Sequence, residues 1–441
     1  MNWLLPEGGN LHFKGLDQPV LILQGLGGGT QGQVFAVELG APGSGEQLAL
    51  KWYFPSCIAR DPDLRARLRQ SIGLGAPNGD FLWPLALLEP PEAQLSGFGY
   101  LMALRPEGFV GAHLHAGGSL EISLQNVLKA CFHLAEGFHQ LHLKGLCYKD
   151  ISLGNLFLAP SSGRILICDN DNVDIDGLGQ GSVLGTPGFM APEVLLGQAR
   201  PGAASDLFSL AVLLFRLLTR HDPFRGAREL AIRCLDEPAR RRLYGEEALF
   251  IFDPVDTGNR PDPVEHSAAL ITWPIYPRSL QQLFEQSFGI GLRQPEQRTL
   301  TGQWKQALAR CLDQRQLCPH CGQETFLDPD AERRCWSCGG ALPQPIQLQL
   351  PHGQVVAAAG NALQLHHFDP LAGEAIDQPL ALLVPHPSDP SLLGLRNLSQ
   401  HTWQGQLSNG QPIALEPGRT CNLAPLQRLD SHAGAILVIR P

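Results

Sequence analysis

A short strand at Val20–Leu23 runs into the spaced glycines Gly27-x-Gly29-x-x-Gly32-x-Val34, and Val34-Phe35-Ala36-Val37 then resumes as a strand. Those flanks constrain the fold more than the glycines do. A dinucleotide-binding unit requires a helix straight after such a loop, and a Walker-type loop requires a Lys-Ser/Thr pair; neither follows here. Strand, glycine loop and strand is the arrangement that lays flexible backbone over nucleotide phosphates. The next strand, Leu48-Ala49-Leu50-Lys51, sets one lysine among apolar neighbours. Burying that ammonium is costly unless it meets an anion, and phosphates supply one.

Around this loop, residues 20–110 read as short strands: Val20–Leu23, Gln33–Leu39, Gln47–Trp52, Leu82–Leu88 and Gly99–Leu104, with one helix at Asp61–Ile72. From Ser119 the period changes. Leu124, Val127, Leu128, Cys131, Leu134, Ala135, Phe138 and Leu141 recur at helical spacing, so a strand-rich lobe precedes a helical one. At 441 residues, two or three domains are expected. The net charge of −9 argues against a general nucleic-acid binder. The longest apolar stretch, Leu207–Leu218, is too short to span a bilayer, and MNWLLPEGGN lacks the features of a secretory signal, so a cytoplasmic protein is expected.

Further along, acidic and amide side chains follow in a telling order. Tyr148-Lys149-Asp150-Ile151-Ser152-Leu153-Gly154-Asn155 follows the helix; Ile165-Leu166-Ile167-Cys168-Asp169-Asn170-Asp171 puts carboxylates after a short apolar strand. Gly185-Thr186-Pro187-Gly188-Phe189-Met190-Ala191-Pro192-Glu193 and Ser205-Asp206-Leu207-Phe208 come next, then Gln297-Arg298-Thr299. Taken in order, these segments resemble the catalytic loop H-R-D-L-x-x-x-N, the D-F-G segment, the G-T-x-x-[YF]-M-A-P-E end of the activation segment and the start of the buried large-lobe helix of protein kinases.

The resemblance implies an α+β, two-lobed protein-kinase-like fold, of the eukaryotic-like Ser/Thr type found in bacteria, that uses ATP and Mg2+ on protein substrates. Asp150 would take the acceptor proton and Lys51 would hold phosphates, with Asn155 and Asp169 holding magnesium. Gly27, Gly29 and Gly32 would cover the nucleotide, and Val34, Ala49, Met102 and Leu104 would pack the adenine. Glu193 would pair with Arg298, and Asp206 would anchor the catalytic loop.

The sequence departs from the family in places. No Glu on the helix at 61–72 can pair with Lys51, and Gln70 is nearest to that role by spacing. Ser152 stands where Ser/Thr kinases usually carry a Lys, a gap that Lys149 is the first candidate to fill. The segment Arg225–Pro277 resembles no general kinase element and reads as a surface excursion. These gaps keep open a second reading, a pseudokinase serving as a nucleotide-binding scaffold for partner proteins. A small-molecule kinase is a third, disfavoured by Gly185–Glu193. Thr186, Ser182 and Ser205 are candidate phosphorylation sites.

Cys318-x2-Cys321 and Cys335-x2-Cys338 are separated by 13 residues, the spacing of a four-thiolate site, and resemble a zinc ribbon with structural Zn2+. Beyond it, Ile346–Leu350, Leu363–His366, Ala381–Val384, Thr402–Leu407 and Ala435–Ile439 alternate between turn residues, as in an all-β sandwich. That module resembles the second half of a forkhead-associated domain, which implies either phosphopeptide reading, with Arg396 and Ser399 as the candidate pair, or contact with the rest of the chain or a partner. The expected division is a kinase-like domain at 1–313 (small lobe about 18–105, large lobe about 106–313), a zinc ribbon at 314–343 and a β-sandwich-like module at 344–441. This order resembles bacterial kinases of stress or tellurite-resistance-type systems.

Overall fold

The computed structural model describes residues 3–14, 16–40, 43, 45–90, 97–177, 184–329 and 332–441. Ser182 lies outside them. The amino-terminal lobe is one antiparallel sheet of six strands, ordered in space as Asn10–Leu11, Val20–Gly28, Gly32–Leu39, Glu46–Tyr53, Gly99–Ala103 and Ala86–Leu88. The run Leu48–Tyr53 is buried along its whole length because each face of the strand has its own cover. Leu48, Leu50 and Trp52 enter a cluster with Phe35, Val37 and Leu101. Ala49 and Tyr53 enter another with Tyr100 and Met102.

Register then positions the future site. Val34 lies opposite Lys51, Lys51 opposite Tyr100, and Ala49 opposite both Ala36 and Met102. Side chains alternate across a strand, so Val34, Ala49, Lys51 and Met102 share one face. The strand expected at Leu82–Leu88 is paired over Ala86–Leu88 alone. The expected helix spans Leu64–Leu74, behind a short one at Pro55–Arg60.

The helical lobe is built on two buried helices, Leu124–Leu143 and Ala203–Thr219. The first opens at Ser123, whose hydroxyl accepts from the Asn126 amide at 3.2 Å and satisfies one of the donors a helix start leaves open. The second is apolar around most of its circumference, and Phe208, Leu210, Ala211, Val212, Leu213, Leu214 and Phe215 are all within 1 % of full burial.

The segment Arg225–Pro277 is not a surface excursion. Phe250 is 1 % and Ile251 0 % exposed. Phe250 packs edge-on to Phe215 at 5.5 Å, and Phe252 stacks on Trp273 at 4.8 Å. Asn259, itself buried, donates to the carbonyls of Phe224 (2.9 Å) and Leu249 (2.7 Å). The aromatic residues of this segment complete the large-lobe core.

The helix Thr301–Gln314 packs on Leu124–Leu143 and leads directly into a small hairpin, Arg315–Leu317 with Glu324–Phe326. The paired cysteines cap that hairpin. Beyond it, two antiparallel sheets face each other: six strands running from Gly353–Val356 at one edge to Pro412–Leu415 at the other, and four running from Ala362–Leu363 to Thr420–Asn422. Leu348, Leu363, Leu383, Leu395, Trp403 and Ile436 fill the space between them. The strand expected at Leu363–His366 ends early, because Leu365–His367 turns as a 3-10 helix.

The units are tied together through Arg315, which is 5 % exposed. It donates to Glu324 (2.7 Å) in the hairpin and to Ala359 O and Asn361 Oδ1 (both 3.0 Å) in the β module. Gln125 of the large lobe donates to Gly360 O at 2.7 Å. His367 Nδ1 accepts from the Gln364 amide, which leaves Nε2 to donate to Asp313 at 3.1 Å. The β module therefore touches the large lobe through buried polar bonds. Ser399 is used internally: it donates to Asn397 Oδ1 (2.8 Å) and accepts from Trp403 Nε1 (3.0 Å). It cannot join the exposed Arg396 in reading phosphate.

Candidate active site

Between the lobes lies a cleft of about 520 Å3, lined by Gly27, Gly29, Gly32, Val34, Ala49, Lys51, Met102, Leu104, Asp150 and Asp169, among others. A Cβ on Gly32 would meet the Trp52 carbonyl oxygen at 2.2 Å, so close strand approach requires glycine there. At Gly27 and Gly29 no protein atom lies within 4 Å of that position. Backbone at the lip of the cleft is thus left bare, as a phosphate needs.

Lys51 is 4 % exposed and sits at the back of this cleft. Its ammonium donates to Asp171 at 2.8 Å, to Gln31 at 3.0 Å and to Asp169 at 3.2 Å. Asp171 also accepts from the Tyr53 hydroxyl at 2.5 Å and is 1 % exposed. Gln70, nearest by spacing to the role of lysine partner, is exposed on its helix and has no part in this cluster. Asp171 is the lysine's partner instead, two residues after Asp169. The sequence places Asp171 among the carboxylates after the short strand without tying it to Lys51; the signal was the second carboxylate in Asp169-Asn170-Asp171.

Charge explains why the cluster holds. Burial alone would lower the Lys51 pKa, but Asp171 and Asp169 more than reverse this and keep it well above the ordinary lysine value. Burial pushes Asp171 upward, and Lys51 and Tyr53 outweigh it, so its carboxyl lies below the usual range. Asp169 is raised, by burial and then by the Asp171 charge against the pull of Lys51. Asp171 is the fixed anion. Asp169, with its side chain 44 % exposed, is the carboxylate turned toward the cleft.

Asp169 adopts a left-handed backbone conformation with φ of 54°, held by its neighbours. Asn170 behind it is fully buried and donates to Leu82 O (2.8 Å) and Ile167 O (3.0 Å). The residue that stands in place of the D-F-G phenylalanine is therefore a hydrogen-bonded pin.

On the opposite wall, Asp206 accepts from the amides of Tyr148 (2.7 Å) and Lys149 (2.9 Å) and fixes the loop that carries Asp150. Lys149, with φ of 71°, turns its ammonium onto Asp174 at 2.8 Å. It is 8 % exposed and is committed there, so it does not replace the absent catalytic-loop lysine. Ser152, also buried, stands in that position. Asn155 donates to the Asp150 carbonyl (2.9 Å) and carboxylate (3.3 Å). With its NH2 so used, Oδ1 is the atom it can offer a cation. Thr186 donates its hydroxyl to Asp150 Oδ1 at 2.6 Å, a contact sequence reasoning did not foresee.

Farther out, Arg298 is 2 % exposed and forms a two-pronged pair with Glu193 at 2.8 and 2.7 Å. It also donates to Gly291 O and Ala204 O, so its buried charge is fully bonded. At the hairpin, Cys318 Sγ lies 3.7 Å from Cys338 and Cys321 Sγ 3.6 Å from Cys335, all four thiols within 4.8 Å of one another. Four sulfurs at about 2.3 Å from a tetrahedral zinc would be ~3.8 Å apart. The donor set and spacing fit zinc.

Comparison with known proteins agrees with this geometry. The family model for the protein kinase domain matches residues 108–248. Human protein kinase C delta type is 31% identical over 209 residues, covering 46% of this chain and 29% of that protein. A protein kinase C-like protein of Neurospora crassa is 34% identical over 124 residues (26% of this chain, 11% of that protein). CBL-interacting serine/threonine-protein kinase 17 of Arabidopsis thaliana is 36% identical over 107 residues (23% and 24%). The chain thus spans less than a third of the length of each of these relatives. It carries a protein kinase domain, followed by a four-cysteine cluster and C-terminal antiparallel β-sheets.

Proposed function

We propose that this chain transfers the γ-phosphoryl group of ATP to Ser or Thr hydroxyls of protein substrates. The observation that carries the reading is Asp150, which lines the nucleotide-sized cleft and already accepts a hydroxyl hydrogen bond from Thr186. A substrate hydroxyl in the same position has its oxygen free to attack the γ-phosphorus. As that P–O bond forms, the bond to the β-phosphate oxygen breaks, ADP leaves and the proton passes to Asp150. Lys51, fixed from behind by Asp171, faces the phosphates, while Val34, Ala49, Met102 and Leu104 offer the adenine an apolar slot. Asp169 and Asn155 would offer oxygen ligands to Mg2+, which would neutralise phosphate charge.

A second reading, a nucleotide-binding scaffold without transfer, is favoured by Ser152 and by the commitment of Lys149 to Asp174. Incubation with γ-labelled ATP and magnesium separates the two. Label on Ser or Thr that disappears in Asp150→Ala supports transfer; nucleotide binding without label supports the scaffold. Structural zinc is supported by the clustering of the four thiols, and a reducing, cytoplasmic setting by eleven cysteines of which none is in a disulfide. The order of kinase domain, cysteine cluster and β-sheets is the support for a role in bacterial stress signalling.

A further inference from the structure

A second cavity, of about 260 Å3, opens on the large lobe beside the catalytic loop. Its lining carries Arg216, Arg220, Arg225, His113 and His221 against one carboxylate, Asp222. That carboxylate is already engaged. It pairs with Arg216 and accepts from the Tyr244 hydroxyl (3.2 Å) and the Phe224 amide (2.8 Å). Arg225 reaches Glu229 across exposed surface. Arg220 donates to the Leu120 carbonyl oxygen at 3.5 Å, and among the described residues no carboxylate pairs with it. It also closes the helix Ala203–Thr219 in the left-handed conformation, φ 55°, where glycine is the cheaper residue. In a chain of net charge −9, this is a local concentration of positive charge.

Its place relative to the acceptor site is set by short contacts. Leu153, three residues past Asp150, forms part of its wall. Arg216 donates to the Gly188 carbonyl at 3.0 Å and lies over the Phe189 ring at 4.2 Å. Thr186, two residues before Gly188, donates to Asp150. A peptide whose hydroxyl reaches Asp150 therefore passes the mouth of this cavity.

We propose that the cavity selects protein substrates with an anionic side chain, a carboxylate or a phosphate, within a few residues of the acceptor hydroxyl. This rests on the reading of the chain as a protein kinase. An anion entering the cavity passes the exposed Arg225 and His113 to reach the half-buried Arg220, and it displaces no internal ion pair of Arg220.

The test is fluorescence anisotropy with the full chain and labelled serine-centred peptides that carry Glu, phosphoserine, Gln or Lys at the flanking positions. The intact chain should bind the Glu or phosphoserine peptides at least tenfold more tightly than Gln, about 1.4 kcal/mol, with the gap narrowing as salt is added. Tightening by phosphoserine alone would identify substrates phosphorylated beforehand; tightening by Glu as well would identify acidic sequences. Arg220→Gln should cut the preference below threefold, and Arg220→Glu should turn it toward Lys. Arg225→Gln, at a side chain 45 % exposed, gives a second readout that does not disturb the core. Equal affinity of the intact chain for all four peptides, or a preference that survives in both Arg→Gln variants, overturns the proposal. Peptide binding needs no phosphoryl transfer. An acidic preference without ATP turnover would leave the cavity's role standing and remove the kinase reading; turnover without preference would do the reverse.

Discussion

Replacing Asp171 by Asn removes one charge from the best-buried ion pair of the cleft while keeping the side chain's shape. The new amide could still bond to the Tyr53 hydroxyl, but Lys51 would be left with Gln31 at 3.0 Å and the half-exposed Asp169 at 3.2 Å. Breaking a buried pair from one side costs about 3–5 kcal/mol. Because Asp169 remains, the lower end applies, about 3 kcal/mol. At ~2 °C per kcal/mol for a domain of this size, the melting temperature should fall by roughly 6 °C. A lysine that shifts by ~1 Å should also lower the rate of ATP turnover on the order of 10²-fold. Gln70→Ala, on the exposed face of the helix, should stay within about 0.5 kcal/mol. The assays are a thermal scan and single-turnover ATP consumption on all three proteins. Wild-type stability and turnover in Asp171→Asn, or equal damage from Gln70→Ala, would refute the assignment of Asp171 as the lysine's anchor.

Three other outcomes follow from the structure. Phe250→Ala, in the aromatic core contributed by the 225–277 segment, should destabilise the chain by about 3–5 kcal/mol in urea denaturation, where a surface excursion would give almost no change. Burial, partly offset by Arg164 and reinforced by Asp377, pushes Asp80 up to about 6. The native state then holds a proton that the unfolded chain has released, so this group's contribution to stability falls as pH rises from ~4 to ~6. Asp80→Asn should remove that slope, about 1–3 kcal/mol, in melting curves taken across the window. Metal analysis should find one zinc per chain, lost in Cys335→Ser; metal-free wild-type protein would contradict the cysteine site.

Much of this site was legible in the sequence because its parts are local. The glycine loop, Leu48–Lys51, Lys149–Asn155 and Gly185–Glu193 are short segments whose residue types announce their chemistry, and alternation on the strands places Val34, Ala49 and Lys51 on one face. What escaped depends on contacts far apart in the chain. Lys51 and Asp171 are 120 residues apart, and no spacing rule ties a buried lysine to one of two neighbouring carboxylates. The same holds for Lys149, whose partner Asp174 lies 25 residues further on, beyond the strands Leu156–Leu158 and Ile165–Ile167. Phe250, Phe252 and Trp273 were hidden for another reason: they stand in a Pro- and Arg-rich segment without helical or strand period, and burial was the clue that composition concealed. Ser399 failed as a phosphate reader because Asn397 and Trp403 consume its hydroxyl.

In the proposed function, Lys51, Asp150, Asn155 and Asp169 converge on a magnesium-bound triphosphate. Titrating ATP into the intact chain by calorimetry, with and without Mg2+, tests it most directly. Magnesium should tighten binding, Asp169→Ala should abolish the gain, and Asp150→Ala should retain it. Failure to bind ATP, or affinity indifferent to magnesium in all three proteins, would contradict it.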